Sequence, residues 1–315
     1  MLKGIRRRRR CVLSVPASAE RKIEKALASG VDFVFLDLED GVAPAAKPKA
    51  RRNAIEAFNT RDWGGAVRSF RMNGIDTYWA LQDLLEVVGE AGRNIDTIVV
   101  PKVKHARDVH FCDTLLGLIE RECGVDKPIG LELLIEEVEG IQNIREISAA
   151  STRIESLMFG IGDYTRAQGV DIRDAMGPAR YYPGDIWHFQ RSTLAIAARV
   201  AGIDYVDGPW GLIADPDGYR NECRKARALG AVGKWAIHPT QIPIAMEEFT
   251  PSADELLQAL KMKREFEKAR AQGLGAIKTQ DGGMLDEAIL PIVNAMLDTA
   301  RFYGVDVREI EKRLT

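Results

Sequence analysis

The chain is poor in the residues that build the commonest zinc and redox sites. Four cysteines and four histidines occur in 315 residues. The cysteines stand at 11, 112, 123 and 223, with no C-x-x-C pair and no Cys/His spacing suited to zinc. Scattered buried thiols in a reducing cytoplasm account for them. No apolar run approaches the ~18 residues that cross a bilayer. The stretch after MLKGIRRRRR is too short and too polar for a secretory signal. Net charge is nearly absent, at −2, so the molecule as a whole has no electrostatic attraction to nucleic acid or membrane. No G-x-G-x-x-G follows the first apolar run, which argues against a dinucleotide-binding doubly wound sheet.

What is present is a repeat of short apolar runs separated by helical segments. The runs are CVLSVPA (11–17), FVFLDLE (33–39), AVRSFRMN (66–73), TIVVPKV (97–103), IGLELLIE (129–136), SLMFGIGD (156–163), DYVDGPW (204–210) and KWAIHP (234–239). Between them, segments such as AKPKARRNAIEAFN, YWALQDLLEVVGEAG and EGIQNIREISAAS place apolar residues at helical spacing. Eight strand–helix repeats with near-continuous apolar strands predict an α/β fold, a (β/α)8 TIM barrel. The barrel is expected to fill residues 1–248. Residues 249–315 begin FTPSADELL, a helix start, and continue through a hairpin or loop to two short helices. This C-terminal helical extension is too small for a full core and is expected to pack on the barrel or on a neighbouring subunit.

Barrels of this kind work at the C-terminal ends of their strands. Here those ends carry Pro16-Ala17-Ser18, Asp37/Glu39/Asp40, Arg71-Met72-Asn73, Lys102, Glu132/Glu136, Asp163, Asp207 and His238. Carboxylates dominate, and burying them without a cation costs several kcal/mol each, roughly. Oxygen donors with open water positions point to Mg2+ or Mn2+. Glu136 and Asp163 follow adjacent strands and can reach one ion; helix-start charge and an N-cap are their bland alternatives. Arg71 is placed to clamp a carboxylate or an oxyanion, or to pair with Asp37 or Glu39. Lys102 reads best as a charge-balancing partner, and His238 as structural. The run Arg6–Arg10 reads as a solvated arm, with Arg10 as a candidate phosphate contact.

These segments together resemble the citrate lyase β-subunit-like acyl-CoA lyases of the HpcH/HpaI aldolase superfamily. The matching stretches, in order, are FLDLEDGVAP, RMNGIDT, VVPKV, ELLIEEVEGI, FGIGDYT, DGPWG, GKWAIHPTQI and GGMLDEA. GKWAIHP-x-Q followed by FTPS is most similar to the malyl-CoA, β-methylmalyl-CoA and citramalyl-CoA lyases. The resemblance implies a Mg2+-dependent barrel, a homotrimer or homohexamer, cleaving a 3-hydroxyacyl-CoA into an acyl-CoA and a 2-oxo acid. It places the metal carboxylates on Glu136 and Asp163, with Asp163 also against substrate. It places the mouth arginine on Arg71 and the catalytic carboxylate on Asp286, reaching a neighbouring subunit's barrel. Asp37 and Glu39 are implied to support Arg71 and waters on the metal. The histidine that follows D-x-E in the non-CoA aldolases is Asp40 here. The family's P-G loop after strand one is PASAERK, so the CoA contacts are assigned to Arg10, Arg21, Lys22 and Lys47. A thioesterase, or a lyase subunit acting on an acyl-carrier-protein thioester, is the alternative within the same family. Tyr181, Tyr182 and Trp187, in the segment 169–187, are candidates for shaping substrate choice.

Overall fold

The computed structural model describes residues 6–175, 177, 182–279 and 282–314. Eight strands pair in chain order and close into a parallel barrel. They are β1 (Cys11–Pro16), β2 (Phe33–Asp37), β3 (Val67–Arg71), β4 (Thr97–Val100), β5 (Gly130–Ile135), β6 (Ile154–Phe159), β7 (Asp204–Asp207) and β8 (Gly233–Ala236). Closure is direct, with Val12 of β1 opposite Trp235 of β8. Among the described residues no helix is long and apolar enough to cross a membrane.

Successive strand residues point to opposite faces. One buried cluster gathers Val12, Phe33, Phe35, Val67, Val99, Leu134, Met158, Val206 and Trp235, which marks the inward face of every strand. The outward residues pack under helices that include α1 (Glu20–Leu27), α2 (Lys47–Thr60), α3 (Tyr78–Gln82), α4 (Ala106–Cys123), α5 (Ile161–Gln168), α6 (His188–Ala201) and α7 (Pro216–Ala228). Each fully buried Leu, Ile, Val or Phe side chain contributes about 1.5–3 kcal/mol, so this double layer supplies the fold's main driving force.

Three segments depart from their sequence reading. The helix expected over EGIQNIREISAAS breaks into Val138–Gln142 and Ile144–Ala149. Asn143 at the break donates its side-chain amide to the carbonyl of Lys104 and meets the ring of His105, each at 2.9 Å. Such local bonding competes with a helical backbone. The segment after α3 winds as a π-helical turn, Asp83–Val88. The run SLMFGIGD is strand only to Phe159; Gly160 caps α5, so Asp163 sits in a helix's first turn instead of on a strand.

The arginine run is not a solvated arm. Arg9 is buried at the N-terminal end of the barrel, within 2.7 Å of Glu132, 2.6 Å of Glu155 and 3.0 Å of Asp204. Arg7 pairs with Glu155 and Asp96, and Arg10 makes a two-pronged pair with Asp32, both contacts at 2.7 Å. The run stitches together the starts of strands far apart in the chain.

The chain divides into two compact units, one ending at Met246 and the other starting at Glu247. The second unit contains α8 (Ala253–Ala271), an antiparallel hairpin of β9 (Ala276–Lys278) and β10 (Met284–Asp286), α9 (Ile289–Phe302) and α10 (Val307–Lys312). Ser252 and Glu255 form a capping box at the start of α8. Leu256, Leu260, Val293, Leu297 and Ile310 build this unit's own small core.

Candidate active site

Strand parity selects the side chains at the barrel mouth. Two residues beyond inward Phe35 comes Asp37, four beyond inward Val67 comes Arg71, and two beyond inward Leu134 comes Glu136. Asp37 and Arg71 stand in register on neighbouring strands. Their side chains form a buried fork-to-fork pair, Nε–Oδ1 and Nη2–Oδ2 both at 2.8 Å. Arg71 Nη1 lies 3.1 Å from Glu39 Oε2. The guanidinium rests on aromatic rings, its Cζ being 5.9 Å from Phe35 and 5.6 Å from Trp235.

Asp37 also accepts the backbone N–H groups of Glu39 and Gly41, each at 2.9 Å. A Cβ on Gly41 would lie 2.5 Å from Asp37 Oδ2, so the carboxylate fits only beside glycine. Burial works against ionising Asp37, but the Arg71 charge and these hydrogen bonds outweigh it and hold the carboxyl below its usual range. Glu39 is displaced the other way. Burial raises its pKa, and Arg71 and Lys102 only partly offset that.

Glu136 is almost wholly buried. Burial pushes its pKa well above the usual value; Arg71 opposes the shift, and Glu39 and Asp163 add to it. Its Oε1 accepts the backbone N–H of Lys102 at 3.0 Å. A Cβ on Gly160 would fall 2.4 Å from both Cβ and Oε2 of Glu136, so the strand end beside it must be bare. The Lys102 ammonium is 2.5 Å from Glu39, 3.3 Å from Asp40 and 3.6 Å from Asp163. Asp163 also lies 3.5 Å from Arg166. Sequence reading identified Lys102 as a balancing charge but gave no sign of its positive φ of 54°, nor of the clearance needed at Gly41 and Gly160.

Several expected mouth residues lie elsewhere. Glu132 is inward but near the start of β5, opposite Val99 and Ser156, and it belongs to the Arg9 cluster. Asp207 follows inward Val206 and so faces the helices, where Lys234 Nζ lies at 2.5 Å and Arg191 Nε at 3.0 Å. Arg10 cannot reach a ligand at the mouth, because Asp32 holds it at the opposite end. Lys47 is near the mouth but committed: its ammonium donates to the carbonyls of Leu38 and Glu39 and to Asn73 Oδ1, at 2.8, 2.9 and 2.5 Å. Asn73 is held in turn by Asp83 on the π-helical turn. His238 caps the short helix Pro239–Gln241. Arg21 and Lys22 are exposed in the first turn of α1, on the mouth side. Trp187 is buried against Phe159 and Tyr164, Tyr182 is exposed, and Tyr181 lies outside the described residues. Asp286 is in the second unit, where its Oδ1 accepts the N–H of Ala288 at 2.9 Å.

Among the described residues no three or more His, Cys, Asp or Glu side chains are gathered as a complete metal cage. Glu136 and Asp163 offer two hard oxygen donors, the kind of partial set that holds Mg2+ when substrate and water fill the remaining positions. A buried carboxylate with a raised pKa, beside two more acids, fits a site that a divalent cation would complete.

Residues 10–239 match the family described as HpcH/HpaI aldolase/citrate lyase. An L-malyl-CoA/β-methylmalyl-CoA lyase of Cereibacter sphaeroides (strain ATCC 17025) is 41% identical over 276 residues, covering 85% of this chain and 87% of that protein. A (3S)-malyl-CoA thioesterase of the same organism is 34% identical over 292 residues, covering 93% and 94%. A crystal structure of the protein CitE from Mycobacterium tuberculosis, in complex with magnesium, acetoacetate and coenzyme A, is similar with a TM-score of 0.74 and 29% identity, covering 92% of this chain and 97% of that one.

Proposed function

We propose, on the premise that this chain belongs to the HpcH/HpaI aldolase/citrate lyase family, that it is a Mg2+-dependent carbon–carbon lyase. It reversibly cleaves a 3-hydroxyacyl-CoA such as malyl-CoA, β-methylmalyl-CoA or citramalyl-CoA into an acyl-CoA and glyoxylate or pyruvate. The observation that carries this reading is the buried Glu136 beside Asp163, facing an arginine fixed by Asp37.

Glu136 and Asp163 would hold the cation, which when bound supplies Lewis-acid polarisation of the substrate's oxygens. The chain's own residues do the rest. Arg71, preset by Asp37 and Glu39, keeps a positive charge where the thioester enolate develops and anchors the 2-oxo acid. During cleavage the hydroxyl group gives up its proton to water, its oxygen becomes the carbonyl of the 2-oxo acid, and the electron pair of the breaking C–C bond passes to the thioester fragment. Asp286, from a neighbouring subunit's C-terminal unit, protonates the enolate carbon; in condensation the same carboxylate removes that proton. Arg21 and Lys22 are the remaining contacts for the CoA phosphates. The working assembly is a homotrimer or homohexamer in the cytoplasm, a compartment supported by four free cysteines.

The similarity to a malyl-CoA thioesterase favours one second reading, in which water attacks the thioester. One assay separates the two. Purified protein is given malyl-CoA and citramalyl-CoA with and without EDTA, and any 2-oxo acid is trapped with phenylhydrazine. A lyase releases oxo acid in step with acetyl-CoA, and EDTA abolishes the release. Free CoA without oxo acid would replace the lyase by the thioesterase.

A further inference from the structure

Among the described residues Lys102 is the one non-glycine with a positive φ, 54°. A left-handed backbone is unfavourable for lysine, and what it secures is visible at the mouth. The turn after β4 aims the Lys102 N–H at Glu136 Oε1, 3.0 Å away. It also sends the side chain back over the site, so that Nζ lies 2.5 Å from Glu39, 3.3 Å from Asp40 and 3.6 Å from Asp163. One residue therefore reaches both carboxylates assigned to the cation, Glu136 through its backbone and Asp163 through its charge. The Lys102 side chain is only 26% exposed, so solvent screens its charge incompletely.

We infer that Lys102 is a positioning residue that sets the affinity of the divalent-cation site. Its N–H fixes the orientation of Glu136. Its ammonium draws on Asp163, and a divalent cation on Glu136 and Asp163 must share that carboxylate with it or drive it back onto Glu39 and Asp40. Like charges this close repel, so the cation is held loosely until an anionic ligand arrives to offset the excess positive charge. Cation and 2-oxo acid thereby bind better together than apart. The inference rests on the reading of Glu136 and Asp163 as cation ligands, and it extends that reading to a residue that does not itself ligate.

The test is a calorimetric titration of Mg2+ into the wild-type protein, Lys102→Gly, Lys102→Arg and Asp163→Asn, with folding checked by circular dichroism. Glycine suits the left-handed position and keeps the N–H on Glu136, so Lys102→Gly removes the charge alone. Binding about tenfold tighter than wild type is expected for Lys102→Gly, wild-type affinity for Lys102→Arg, and none for Asp163→Asn. The thermal midpoint of Lys102→Gly should also rise further on adding Mg2+ than that of the wild type. If folded wild-type and Lys102→Gly proteins both fail to bind Mg2+, the cation-site reading falls and this inference with it. If the wild type binds and Lys102→Gly binds equally or more weakly, this inference alone is overturned.

Discussion

Arg71 enters the mouth with two of its nitrogens already bound to Asp37 and a third beside Glu39. A lysine at 71 would keep the charge but lose the planar fork. Arg71→Lys is therefore expected to fold normally and to lose about 10²–10³ in kcat, measured as oxo-acid release at saturating 3-hydroxyacyl-CoA. Gly160 is the complementary case, in which a missing side chain matters. An added methyl would occupy space already taken by Glu136. Gly160→Ala should thus weaken Mg2+ binding in a calorimetric titration while the circular dichroism spectrum stays unchanged. The two residues were not equally legible. Arg71 stands out in the sequence as a cation among acids at a strand end, whereas the demand on Gly160 comes from a neighbour 24 positions earlier in the chain and has no local signal.

At the scale of strands and helices, legibility followed the period-two rule and failed where that rule needs a reference point. The inward placement of Asp37 follows from FVFLD once Phe35 is known to face inward. Glu132 obeys the same parity as Glu136, but an apolar run does not reveal the height of a residue along the barrel axis. Asp207 is one step out of phase with Val206 and turns to the helices. Arg10 and its neighbours looked like an arm because their partners, Asp32, Asp96, Glu132, Glu155 and Asp204, are dispersed over the sequence. Removing one side of such buried clusters leaves uncompensated charge. Arg9→Met should lower unfolding free energy by about 3–5 kcal/mol in urea titrations, with activity per folded molecule retained. Asp207 gives a pH-dependent counterpart. Burial alone would raise its pKa, but Arg191 and Lys234 bring it below the usual value. Its stabilising contribution is then complete above the unfolded carboxyl range, near pH 3.9, and is lost as pH falls through the lower native value. Asp207→Asn should be destabilised at neutral pH and lack that component of the acid-unfolding curve.

For the whole molecule, the C-terminal unit has its own core and bears Asp286 on an edge of its hairpin. If the site is completed between subunits, Asp286→Asn and Arg71→Lys chains co-expressed in one oligomer should recover lyase activity that neither has alone. Recovery no greater than the sum of the two single-variant preparations would place all the chemistry within one chain. The stitched arginine run has a further consequence for how the molecule comes into being. Arg9 precedes its partners Glu132, Glu155 and Asp204 by 123, 146 and 195 positions. On the ribosome, Arg9 emerges long before the acids that neutralise it. Asp32 is available to Arg10 early, but Arg9 gains the last of these partners, Asp204, only once the seventh strand has been synthesised. The base of the barrel is therefore sealed late, after most of the strands exist.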